Sequence, residues 1–443
     1  MLNRQRFPKG GLEIIKQLNA SDHQAYLVGG CIRDLRLGLK VNEWDIATSA
    51  HPEEVTKLFK KVVPTGIDYG TVTILLKDGQ YEVTTFRSDE NYLDGRHPDN
   101  VVFTTDIHQD LSRRDFTINA LAYDPLTKEL VDDFEGQKDL KRKIIRAIGN
   151  PVERFSEDGL RSIRACRFAA KLNFKIEPNT LAAITKTINV TKKIARERVH
   201  DELVKILATD KPSIAFELMR KSGLLTLILP ELEKGCGIKQ PPNFHKFDVY
   251  WHNLKACDAA PKGNLIVRLA ALLHDISKPA CKKDYTFYGH DQAGAKSAET
   301  ILKRLKFSNA DIKKTTNLIA QHMFNYTSGW TDAAVRRFIR RIGGVENIAD
   351  LFAVRLADTK AMKSKIGTKY LQELKKRINK IVRAENALHV RDLKVDGQDV
   401  MLTLKISAGP KVGEVLNALL EKVLDDPQLN ERKTLLELIK SYA

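Results

Sequence analysis

The stretch "LVGGCIRDLRLGLKVNEWDIATSA", residues 27–50, decides the fold of the N-terminal part. An apolar run ends in Gly29 and Gly30, Arg33 follows, and Glu43 and Asp45 then flank Trp44. In an extended strand alternate side chains share a face, so Glu43 and Asp45 are expected together and Trp44 toward the core. Two close acids repel unless a cation lies between them, and hard oxygen ligands suit Mg²⁺. Glycines without a Cβ let backbone N–H groups approach phosphate oxygens, and Arg33 adds a charge-assisted donor. The competing reading is a glycine turn followed by a strand with solvated acids.

The rest of the chain sets limits on this site. Its 443 residues suggest about three domains, and 42% apolar content fits a globular protein. A net charge of +17, spread along the chain, points to a polyanionic partner and first to nucleic acid. Lysine-rich bias of the proteome is the alternative. The cysteines Cys31, Cys166, Cys236, Cys257 and Cys281 are odd in number and widely spaced. That pattern disfavours disulfides or a cysteine-held zinc and favours a reducing compartment. No signal-peptide core or membrane span is evident, so a cytoplasmic protein is expected.

Up to about residue 140 short β-rich runs dominate: "AYLVGG", "EWDIAT", "GTVTILLKDGQYEVTTFR" and "NVVFTT". After Pro151 helical period takes over, as in "LRSIRACRFAAKL" and "IAFELMRKSG". The fold class is therefore α+β, an α/β head followed by an all-α remainder. Glu82 on another strand is a candidate third acid. "LSRRDFTINALAYD" gathers Arg113, Arg114, Asp115 and Asn119 as phosphate- and ribose-binding groups. Asp158, Arg161, Arg164 and Arg167 recur every three residues and predict one helical stripe.

In this order, G-G-x-x-R-D, acid-x-D, R-R-D-F-T-I-N-A and E-D-x-x-R resemble the class II tRNA nucleotidyltransferase and bacterial poly(A) polymerase family, most closely its CCA-adding members. The resemblance runs through "RERVHDELVKIL" to the last residues. It implies a polymerase-β-like nucleotidyltransferase head (1–140), a helical neck that reads the base (141–210), a body (211–385) and a tRNA-binding tail (386–443). Partners would be tRNA, CTP and ATP, with no membrane and no particular oligomeric state implied. Gly29, Gly30 and Arg33 would contact the nucleotide, and Glu43 and Asp45 would hold Mg²⁺. Arg113, Arg114, Asp115 and Asn119 would bind phosphates and ribose. Asp158 and Arg161 would read the base, with Arg164 and Arg167 behind the triphosphate. The family commonly has D-x-D, so the glutamate at 43 is a departure with a longer arm. The segment "DENYLDGRHPDNVVF" (89–103) resembles the flexible loop of full CCA-adding and A-adding members.

A second constellation lies in the helical half. His274–Asp275 closes an apolar helix, with Lys278 following and other histidines around it. This is similar to the HD signature of metal-dependent phosphohydrolases, which implies His252, His274, Asp275 and Asp358 as core ligands. His290 and His322 would serve a second metal. Imidazole with carboxylate suits a divalent transition metal such as Mn²⁺, Fe²⁺, Ni²⁺ or Zn²⁺. A helical body whose metal chemistry has decayed is the alternative. The tail, with its "SAGPKVG" break before a helix, is expected at the tRNA elbow. Three readings stay open: CCA addition, A-only or poly(A) addition, and a phosphohydrolase with an RNA-binding head.

Overall fold

The computed structural model describes residues 7–90, 100–363, 369–384 and 389–443. The chain divides into two compact units, Met1–Pro230 and Glu231–Ala443.

The first unit is built on a mixed sheet. Its strands are β1 (Ala25–Val28), β2 (Asp45–Thr48), β3 (Val62–Gly66), β4 (Thr71–Leu76) and β5 (Gly79–Thr85). A two-stranded ribbon, β6 (Arg87–Glu90) and β7 (Asn100–Phe103), follows, then β8 (Ala122–Tyr123) and β9 (Leu130–Val131). The order across the large sheet is β3-β4-β5-β2-β1-β8-β9. β2 runs parallel to β5 with Asp45 opposite Glu82, and antiparallel to β1. "KDGQ" makes the expected β4–β5 hairpin turn. Residues 91–99 of the expected flexible loop lie outside the described residues.

One expectation is corrected here. β2 begins at Asp45, and Glu43 lies ahead of the ladder on an exposed segment. Trp44 is only half-buried and packs edge-on against Phe7 at 6.1 Å. Strand alternation therefore does not pair Glu43 with Asp45.

The helix Ile107–Ser112 packs Ile107 and Leu111 into the core with Val28, Ala47 and Phe86. Asp106 starts it, its side chain accepting from His108 N at 2.9 Å. This anchoring delivers Arg113 and Arg114 to the sheet. The helix Leu160–Leu172 ends where predicted, at Asn173 in the left-handed region (φ 54°). At its start, a Cβ on Gly159 would stand 2.6 Å from Thr191 N, so only glycine lets the two segments touch. Beyond Pro151 the short Lys175–Ile176 is the only strand among the described residues.

The second unit is helical. Leu265–Leu273 is buried at every position from Val267 to Leu273, as a central helix should be. Around it pack Val249–Ala259, Asn309–Gln321 and Ile348–Ala361, while His290–Arg304 packs on Asn309–Gln321. The last helices are Gly397–Leu404, Pro410–Asp425 and Arg432–Lys440. "SAGPKVG" opens the second of these with Pro410 in its first turn. The buried Arg336 donates to Leu424 O at 2.7 Å and Asp425 O at 3.2 Å, satisfying carbonyls at that helix's end. Among the described residues no helix is long and apolar enough to cross a membrane.

Candidate active site and a buried histidine–aspartate centre

Parallel register places Asp45 and Glu82 side by side on one face of the sheet. They line a cavity of about 320 Å³ with Tyr69, Arg87, Arg113 and Arg114. Burial, and then the neighbouring Glu82, push the Asp45 carboxyl up to about 6; Glu43 adds to the rise, and Arg114 and Arg33 oppose it. Glu43 thus reaches this site through space, while Glu82 reaches it through the ladder. An acid made costly to ionise by other acids, in an all-oxygen donor set, fits a divalent cation such as Mg²⁺.

Arg113 and Arg114 share one holder, Asp110, which is 1% exposed. Arg113 donates to Asp110 Oδ1 at 2.7 and 3.0 Å, and Arg114 to Oδ2 at 2.9 and 3.3 Å. These two arginines lower the Asp110 carboxyl against the effect of its burial. Both forks are therefore pre-aimed at the cavity.

Gly29 acts differently from the expectation. Gly29 adopts φ +73°, and its N–H is already donated to Leu121 O at 2.9 Å. A Cβ there would stand 2.9 Å from Arg114 Nη1, so Gly29 makes room for a guanidinium. Gly30 opens the short helix Gly30–Arg36, which carries Arg33. Arg33 is buried and donates to Asn119 Oδ1 at 2.6 Å and Asp34 Oδ1 at 2.7 Å.

The arginine stripe is not a solvated face. Asp158 precedes the helix in extended backbone, and its carboxylate accepts from Leu160 N and from Arg198 at 2.8 and 3.1 Å. Arg161 meets Glu157 at 2.5 Å and also donates to Arg154 O and Arg113 O, both at 3.0 Å. Arg164 donates to Asp115 Oδ2 at 2.6 and 2.9 Å, and Arg167 to Glu202 at 2.5 Å. Burial would raise the Asp115 carboxyl, but Arg164 and a hydrogen bond from Asn119 bring it down to about 2. Arg33, Arg164 and Arg167 all face the Phe168 ring, at 5.1, 5.4 and 4.1 Å.

Sequence reading missed Asp110, Glu157, Phe168, Arg198 and Glu202. Two of these carry a signal in hindsight: Glu157 is four residues from Arg161, and Asp110 is three and four from the arginines it holds.

In the second unit His252, His274, Asp275, His290, His322 and Asp358 come together, all buried. His252, His274 and Asp275 form one group able to hold a metal ion; Asp275, His290 and His322 form another. Asp275 is the hub. Its Oδ2 lies 3.5 Å from His252 Nε2, 3.2 Å from His274 Nε2 and 2.7 Å from Lys278 Nζ. Its Oδ1 lies 3.3 Å from His290 Nε2 and 3.8 Å from His322 Nε2. Asp358 Oδ1 is 3.1 Å from His252 Nε2.

Nδ1 of His274, His290 and His322 each meet a backbone carbonyl, of Ala271, Phe287 and Ile319, at 2.9, 2.6 and 2.6 Å. For the neutral rings of His290 and His322, a proton on Nδ1 leaves the Nε2 lone pairs pointing inward, which is how metal-binding imidazoles are oriented. Nε2 of His290 and His322 are buried without a hydrogen-bond partner. Burial opposes charge on Asp275, yet His274 and Lys278 hold its carboxyl well below the usual range. Burial and His274 hold His322 down to about 4. Orphaned imidazole nitrogens around two ionised carboxylates fit divalent transition metals.

A nucleotidyltransferase-type head with a helical remainder is the class this geometry defines. Residues 25–146 match the family model described as poly A polymerase head domain. Residues 173–236 match a probable RNA and SrmB-binding site of polymerase A, and 290–439 a putative tRNA nucleotidyltransferase domain 2. The CCA-adding enzyme of Enterococcus faecalis is 32% identical over 433 residues, covering 98% of this chain and 95% of that protein. That of Ligilactobacillus salivarius is 34% identical over 432 residues, covering 98% and 96%. The structure of the Bacillus stearothermophilus CCA-adding enzyme in complex with CTP superposes with a TM-score of 0.74 at 29% identity, over 97% of this chain and 96% of that one. The chain belongs to the class II CCA-adding enzyme and poly(A) polymerase family. Its full-length relatives named here are CCA-adding enzymes.

Proposed function

We infer that the chain adds C, C and A to tRNA 3′ ends from CTP and ATP without a nucleic-acid template. The observation that carries the reading is the pairing of Asp45 with Glu82 beside two arginines clamped by Asp110. Mg²⁺ held by Asp45 and Glu82, with Glu43 near, would supply Lewis acidity for the RNA 3′-hydroxyl and for departing pyrophosphate. Arg113 and Arg114 take the triphosphate. Arg33, Asn119, Asp115, Arg164 and Arg167 form the buried lattice that keeps those donors in place.

Asp158 and Arg161 read the base, oriented by Arg198 and Glu157. A carboxylate only accepts and a guanidinium only donates. Together they match the amino-donor and ring-acceptor edge that cytosine and adenine share, and mismatch uracil and guanine. The neck (141–210), body (211–385) and tail (386–443) hold the tRNA, in the cytoplasm. Selection is tested by equilibrium binding of the four nucleoside triphosphates with Mg²⁺. CTP and ATP should bind at least roughly tenfold more tightly than UTP and GTP, the cost of a mispaired buried polar edge. Equal binding of all four would remove the base-reading role.

The six-residue centre favours a second activity, a metal-dependent phosphohydrolase. Imidazole-held metal would supply an activated water. That water would add to phosphorus of a phosphomonoester or 2′,3′-cyclic phosphate, one P–O bond would break, and the freed oxygen would leave with a proton. Lys278, bonded to Asp275, presents positive charge at the edge of this centre.

A further inference from the structure

Two segments meet at the edge of the histidine–aspartate centre. Residues 237–247 bring Gln240, whose Oε1 accepts from Lys278 Nζ at 2.8 Å. They also bring His245, whose ring stands edge-on to His252 at 4.9 Å. Lys363 pins this segment, donating its backbone N–H to Phe244 O at 2.8 Å. Residues 282–289 bring Phe287, whose buried ring faces the Lys278 ammonium at 5.3 Å and whose carbonyl meets His290 Nδ1 at 2.6 Å. Both segments therefore converge on one buried ammonium, 2.7 Å from Asp275.

Each segment turns one ring inward and leaves the next one out. Phe287 is buried while Tyr288 is 87% exposed; His245 leans on His252 while Phe244 is 54% exposed. Met323, adjacent to the ligand-type His322, is exposed as well. Single exposed rings are ordinary, but Phe244, Tyr288 and Met323 are all exposed on segments whose neighbouring residues reach the one buried charged centre, and such a group asks for a ligand. The charge on the two segments points to its chemistry. Lys239, Lys246, Lys282 and Lys283 are exposed there against one acid, Asp284. Aromatic faces interleaved with lysines suit single-stranded nucleic acid, whose bases stack and whose phosphates are neutralised.

We propose that this rim binds a single-stranded RNA end, with Phe244 and Tyr288 stacking nucleobases so that a terminal phosphate rests against Lys278 and the centre. The proposal rests on the phosphohydrolase reading and supplies its substrate class.

The test compares wild type, Phe244→Ala, Tyr288→Ala and the double variant in Mn²⁺, on a short RNA with a 3′-phosphate and on p-nitrophenyl phosphate. Both rings lie on the surface, so melting temperatures should match and show that the variants fold. The preference for RNA, as a ratio of kcat/KM values, should fall on the order of tenfold per ring. A damaged centre would lower both rates together, so an unchanged ratio overturns the platform. Should wild type release phosphate from neither substrate, the phosphohydrolase reading fails by itself. The platform is then judged by photocrosslinking an RNA ending in 4-thiouridine. Attachment within 237–247 or 282–289, lost in the double variant, upholds it; attachment only elsewhere overturns it.

Discussion

Asp45→Asn should lower the rate of nucleotide addition roughly a thousandfold or more while making the metal-free protein more stable at neutral pH. The first effect follows from removing the carboxylate at the floor of the cavity, where a lost charge interaction of several kcal/mol is about that factor in rate. The second follows from the site's electrostatics. Burial and Glu82 raise Asp45 to about 6 in the folded chain, above its ordinary 3.8. Between these values the folded state holds a proton that the unfolded state releases, so stability falls as pH rises from about 4 to 6. Above pH 6 the ionised carboxylate costs on the order of 2–3 kcal/mol, which the amide avoids. With EDTA at pH 7.5 the variant should melt higher than wild type; at pH 4 the two should agree. Excess Mg²⁺ should narrow the gap by stabilising wild type alone. Equal melting at pH 7.5 would mean that the acids at this site do not repel one another.

Asp275→Asn should abolish phosphohydrolysis, again by roughly a thousandfold, and leave tRNA extension within about twofold. Among the described residues no other side chain of the second unit serves both potential metal groups. One of its oxygens faces His252, His274 and Lys278, and the other faces His290 and His322. An amide keeps the shape and loses the charge that both groups need. Thermal shift gives a second readout. Mn²⁺ or Ni²⁺ should raise the melting temperature of wild type and not of the variant. Phosphate release from a 2′,3′-cyclic phosphate at equal rates in both proteins would contradict the assignment.

Much of this was legible in the residues because the signals were local. The helix Leu160–Leu172 follows from its apolar period and from Asn173, a residue that tolerates the left-handed stop. The hairpin β4–β5 follows from "KDGQ", and its second strand carries Glu82. The pair His274–Asp275 was legible because it ends an apolar helix, where buried polar groups need a reason. What could not be read is pairing across distance. Arg198 lies 40 residues from the Asp158 it orients, and Glu202 lies 35 from Arg167. Nothing local in the sequence marks either as a partner.

Glu43 shows the opposite error. Alternation was assumed to start two residues before the ladder does, because "EWDIAT" keeps strand composition where nothing pairs with it. Register, not alternation, chose the partner of Asp45. Gly29 was read as a phosphate-binding amide, yet its N–H closes the sheet and its missing Cβ admits Arg114.

The most direct measurement is product length on tRNA lacking its last three nucleotides. With CTP alone wild type should add two residues; with CTP and ATP it should add three and stop. Failure to add C while a single A joins tRNA already ending in CC would make it an A-adding enzyme, and an open-ended run of A would make it a poly(A) polymerase. Either result would contradict the account.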